Sequence, residues 1–179
     1  MKRFFVVLAA LALLAVLAVG IRNANDTPLL RVMLQPRDGE NAACTYETVY
    51  ASGKSRPCDA FTPDACVFYT ADYTDFDTTA LRAHRVNTLV STTLYDSVGN
   101  TVEPDETMID MMHAAADQID HAIFDFQIIV VDGHRYFAFI KLNVNWWTPC
   151  VLYEFDLETG ALKELCTWDD MDLTGLALE

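Results

Sequence analysis

Four groups of residues in this chain carry side chains with chemistry to offer. His113, Asp117 and His121 recur every four residues, so on a continuous helix they share one face and form a candidate set for a divalent metal. Asp72, Asp75 and Asp77 fall in one short stretch, and Asp169, Asp170 and Asp172 in another. Oxygen-rich loops of this kind suit calcium, although neither matches the D-x-[DN]-x-[DN]-G pattern. Trp146 and Trp147 stand side by side ahead of Thr148-Pro149. A hairpin tip there leaves at least one indole free to stack on a glycan or dock a protein partner. Tyr136, on the mixed face of the neighbouring hairpin, joins them as a binding candidate. Each group also has a plainer role: a solvated helix face, turn chemistry, or rings folded back on a sheet. No G-x-S-x-G, H-E-x-x-H or phosphate-cradling glycine loop occurs, and no cofactor is implied.

The elements that position these residues follow from periodicity. Asp132-Gly133 separates two β-rich runs, Phe124–Val131 and His134–Ile140, the strongest short hairpin signal because both turn residues need positive φ. A two-residue loop pairs Val131 with His134, Ile129 with Tyr136 and Ile128 with Phe137. Phe124, Phe126, Ile128, Val130, Phe137 and Phe139 then share the core face. Beyond Phe139 the apolar parity switches to Ile140, Leu142 and Val144. That requires either a β-bulge near Phe139–Ile140 or a sheet covered on both faces. A turn over Asn145–Pro149 pairs Asn145 with Cys150 and sets Lys141 opposite Glu154. A further turn pairs Asp156 with Ala161 and Glu154 with Lys163, giving a Lys141–Glu154–Lys163 charge ladder. The segment Tyr153–Leu162 resembles the outer hairpin of a blade in TolB-like β-propellers. It has no second copy in the chain, and a propeller needs several blades, so the likeness is one of turn chemistry.

Upstream, 29–35, 44–51, 65–70 and 85–95 read as strands and 52–64 as a loop. A helix starts near Pro104, with Met108, Met112, Ala115 and Ile119 on its apolar stripe and Glu106, Asp110, His113, Asp117 and Asp120 opposite. One amphipathic helix among seven or eight strands implies an α+β fold. A mainly antiparallel sheet is built from consecutive hairpins, and the helix packs on one face.

Residues 1–20 open with Lys2-Arg3 and continue as an apolar run, the pattern of a signal peptide or an uncleaved anchor. Residues 21–28 are a polar spacer, and 29–179 suffice for one exported domain. The net charge is −14, and residues 86–179 hold three Lys or Arg against seventeen Asp or Glu. Such a surface repels nucleic acid and anionic headgroups, so membrane contact is expected only through the N-terminal segment. Five cysteines leave at least one unpaired in a monomer. Cys150–Cys166 and then Cys58–Cys66 are the candidate disulfides, the first at odds with the charge ladder. The expectation is an exported cell-envelope binding or structural module without catalytic activity, its partner a protein or glycan. The alternative is a cation-dependent exported protein or a hydrolase.

Overall fold

The computed structural model describes residues 26–37, 42–77, 87–144 and 148–179. The strands are β1 (Pro28–Pro36), β2 (Thr45–Tyr50), β3 (Ser55–Pro57), β4 (Cys66–Ala71), β5 (Phe76–Asp77), β6 (Thr88–Leu89), β7 (Leu94–Tyr95) and β8 (Thr101–Val102). After the helix α1 (Glu106–Gln118) come β9 (Ala122–Val131), β10 (Arg135–Asn143), β11 (Pro149–Asp156), β12 (Ala161–Asp169) and β13 (Met171–Leu178). Seven strands form a sheet in the order β12-β11-β10-β9-β4-β7-β8, and β13-β1-β2-β3 form a second. Every pairing among the described residues is antiparallel, and the fold is α+β.

The seven-stranded sheet lies between two apolar layers. Alternate residues of β9 and β10 (Phe126, Ile128 and Val130; Ala138, Ile140 and Leu142) pack under Met108, Met111, Met112 and Ala115 of α1. The intervening residues (Ile129 and Val131; Phe137 and Phe139) pack against Leu30, Val32 and Leu34 of β1 and Leu173 and Leu176 of β13. Both faces are therefore apolar, which explains the parity switch at Phe139–Ile140. The second cover was not visible in the sequence, because Asp169-Asp170-Met171-Asp172 reads as a loop. Asp170 instead sits at φ +46° between β12 and β13 and turns the chain from one sheet into the other. Aspartate tolerates this left-handed conformation better than most residues.

The register of the central hairpin differs from expectation by one residue. Asp132 and Gly133 do take positive φ, 52° and 74°. However, Val131 pairs with Arg135 and Ile129 with Phe137, so His134 joins the loop. Phe137 and Phe139 then face the second sheet, while Phe126, Ile128 and Val130 face the helix. The single core face expected from the two-residue loop is thus divided between layers. A shift of register between Lys141 and Leu142 places a bulge at Phe124 in β9, and its ring is exposed under the Lys141 ammonium, 5.3 Å from the ring centroid.

Between β10 and β11 the register differs by four: Lys141 faces Cys150, and Glu154 faces Phe137. An even shift preserves side-chain parity, so Ile140, Val151 and Phe155 still share the helix-side layer, as the apolar pattern requires. Lys141 is not part of the charge ladder. The β11–β12 turn has the expected register, with Asp156 facing Ala161 and Glu154 facing Lys163. A bulge at Leu165 then puts Cys166 opposite Leu152 and Cys150 opposite Trp168. The two cysteines share a face but stand two positions out of step, and all five cysteines are unpaired. The bulge removes the conflict between ladder and cysteine placement that a regular hairpin imposes.

Side chains close the sheet edges. Gln118 accepts from Leu162 N–H at 3.0 Å and donates to Gly160 O at 3.4 Å, occupying the outer edge of β12 as a strand would. Asp64 covers β13, its N–H donating to Leu176 O at 2.8 Å while its carboxylate accepts from Leu178 N–H at 2.7 Å. Asn87, fully buried, donates to Ile119 O at 2.9 Å and His121 O at 3.0 Å and accepts from Ile123 N–H at 3.3 Å. It fixes the reversal from α1 into β9. The expected strand over 85–95 survives only as β6 and β7, with residues 78–86 outside the described part.

Candidate functional site

A recess of about 420 Å³ opens where the Asp132–His134 turn meets the Asp156–Gly160 loop, lined among others by His134, Arg135, Tyr136, Glu154, Glu158 and Lys163. The hairpin register builds it. Arg135, first in β10, stands diagonally from Glu154 in β11 and forms an ion pair with it, and Glu154 faces Lys163 in β12. The ladder is thus Arg135–Glu154–Lys163. The Arg135 guanidinium lies 5.2 Å from the Phe137 ring centroid, which limits its freedom. Asp156 accepts from Glu158 N–H at 2.9 Å and Thr159 N–H at 3.1 Å, and these bonds hold its carboxyl below the usual range.

Tyr136 joins this recess to the helix. Its hydroxyl lies 3.5 Å from Asp105 Oδ2, while Asp105 Oδ1 caps α1 by accepting from Met108 N–H at 2.8 Å. Burial, then the neighbouring Asp105 charge, pushes the Tyr136 phenol upward, so it stays neutral as a donor and acceptor. The arrangement offers a pre-set row of charges of both signs, a neutral phenol and an imidazole. That set recognises polar groups by directed hydrogen bonds.

The other candidates lie elsewhere. Trp146 and Trp147 are outside the described residues, but Asn143 before them is at the far end of β10 from Tyr136. Asn143 lies seven residue steps from Tyr136, about 23 Å at ~3.3 Å per residue. His113 and Asp117 are on the exposed face of α1, whereas the helix ends at Gln118 with Ile119 extended, so His121 leaves their row. Among the described residues no three His, Cys, Asp or Glu side chains converge as metal ligands. Asp72 accepts from Thr74 N–H at 3.0 Å in a local turn; Asp75 is buried, and burial followed by Asp72 pushes its carboxyl upward. Asp172 is held by Arg37 Nε at 2.6 Å, and Asp170 accepts from Thr148 Oγ1 at 2.9 Å. Both C-terminal carboxylates serve the passage between sheets.

A second recess of about 340 Å³ lies past the C-terminal end of α1, lined by Gln118, Ile119, Asp120, His121, Leu142, Val151, Tyr153, Leu162 and Glu164. Burial, then Glu164, pushes the Tyr153 phenol up to about 12. A third, about 390 Å³, lies beside the exposed Phe124. Burial pushes the Cys66, Cys150 and Cys166 thiols upward, and Cys150 donates to Met171 O at 3.1 Å.

Neither family models, curated proteins nor solved structures yield a match to this chain. Of the turn-end residues, the sequence singled out Tyr136 and aligned Glu154 with Lys163. Arg135 was missed, because its pairing with Glu154 depends on the three-residue loop and on the four-residue difference between β10 and β11.

Proposed function

We propose that the chain is an exported binding or structural module of the cell envelope, without catalysis, which takes a protein or glycan partner at the turn-end recess. The observation that carries this reading is the Arg135–Glu154–Lys163 row beside Tyr136 at the mouth of the turn-end recess. Paired charges held in place lose little freedom on binding, which favours recognition. The basic start and apolar run of residues 1–20 support export, and the acidic surface disfavours nucleic acid. Membrane contact is confined to the N-terminal segment where it remains attached.

A photo-reactive residue in place of His134, compared with one at Thr101 on β8, tests the site in the producing cell. The expected result is crosslinking from position 134 alone, lost on Arg135→Ala. Equal crosslinking from both positions would overturn the site. Recovery of the chain from the cytosolic fraction would overturn export, independently of the crosslinking result. Mass spectrometry of the recovered N-terminus distinguishes cleaved signal from retained anchor.

A further inference from the structure

We infer that the recess past the C-terminal end of α1 is a docking groove for a basic side chain of a partner protein, a lysine or arginine flanked by apolar residues. The floor is apolar: Leu142 and Val151 are buried, and Leu162 and Tyr153 are half-buried. The rim carries Asp120 and Glu164, both exposed, and none of the lining residues is Lys or Arg. The last turn of α1 holds no basic residue either, so the partial negative charge of the helix end meets no helix cation. An apolar floor under an acidic rim matches a side chain with a methylene stem and a cationic head. His121 completes the rim.

The groove is held open by bonds already described. Gln118 pins the helix end to Leu162 and Gly160, and Asn87 fixes Ile119, His121 and Ile123. Tyr153 and Glu164 face each other across β11 and β12, placing the phenol and the carboxylate side by side. A preformed groove binds with little ordering cost. The turn-end recess differs in kind, since Arg135 and Lys163 line it and disfavour a cation. The inference therefore stands whether or not that recess takes a partner.

The test uses the isotope-labelled full chain in mild detergent, titrated with the capped peptide acetyl-Leu-Lys-Leu-amide and observed by NMR. Expected shift changes concentrate at Gln118–His121, Tyr153 and Leu162–Glu164. Replacing the peptide's lysine with norleucine, which keeps the stem and removes the charge, weakens binding about fivefold or more. Glu164→Gln weakens it about threefold and the Asp120→Asn/Glu164→Gln pair about tenfold, with Glu158→Gln at the other recess unchanged. Unchanged melting temperatures would show that the variants report on binding. Equal affinity for the norleucine peptide, shifts centred on Arg135 and Glu154, or no shifts at several millimolar peptide would each overturn the proposal.

Discussion

The two faces of the seven-stranded sheet are covered in different ways. One faces a second sheet, which meets it strand by strand with Leu30, Val32, Leu34, Leu173 and Leu176 against Phe137, Phe139 and Leu152. The other faces the thirteen-residue helix α1, with Phe76 of β5 and Leu89 of β6 beside it. A helix about 10 Å wide covers roughly two strands spaced ~4.8 Å apart, so one helix cannot roof seven. The recess beyond α1 and the one beside Phe124 lie where that roof ends. The sheet-covered face closes instead on a clasp, Arg37 holding Asp172 at 2.5 Å with Asp125 at 4.0 Å. Stability is expected to concentrate in the sheet-covered layer and recognition at the margins of the helix-covered one.

Truncation in each layer gives the largest effect and can break this comparison. Phe137→Ala is expected to cost about 3–5 kcal/mol and Met112→Ala about 2–4 kcal/mol in urea unfolding, both side chains being fully buried. A larger loss at Met112 would reverse the assignment. Asn87→Ala comes next, at about 2–4 kcal/mol, because two carbonyls and one amide lose their buried partner. Faster hydrogen exchange at Ile123 would locate the loss at the α1–β9 reversal, whereas unchanged exchange would not fit this account.

Smaller changes sharpen it. Gln118→Ala is expected to lower stability by about 0.5–1.5 kcal/mol and to expose the edge of β12. Sedimentation at rising concentration should then show more self-association than the parent chain gives. Asp125→Asn has the smallest effect and a defined sign. Burial, partly offset by Arg37, raises the Asp125 pKa in the folded chain. The stability linked to this group is therefore full below the usual carboxylate range and is lost as pH rises through the folded pKa. Asparagine should raise the melting temperature modestly at neutral pH, and the gain should vanish at acid pH. A gain that grows on acidification would contradict the raised pKa.

Local patterns carried much of the fold. Asp132-Gly133, the Met108–Ile119 stripe and the Asp156–Ala161 turn each formed where their sequences place them. Register was less legible. The apolar pattern has period two, so it tolerates the four-residue difference between β10 and β11 without any mismatch. The added loop residue at His134 and the bulges at Phe124 and Leu165 leave no mark of their own in composition. Yet they set where Arg135, Phe124 and Cys166 point. The candidate site was legible only in part for the same reason: Tyr136, Glu154 and Lys163 are evident, but their union with Arg135 is a matter of register.

By itself the sequence determined a mainly antiparallel α+β fold with one helix among the described residues, because side-chain periodicity and turn residues act within a few neighbours. It also determined the acidity of the C-terminal half. The tertiary structure decided that a second sheet covers the back of the first, that Asp170 is a corner and not a ligand loop, and that His121 leaves the row of His113 and Asp117. The first two depend on contacts between residues more than a hundred positions apart, as between β1 and β13, and the third on the end of α1 and on Asn87, 34 positions from His121. No local pattern encodes which of two apolar faces a distant strand will cover.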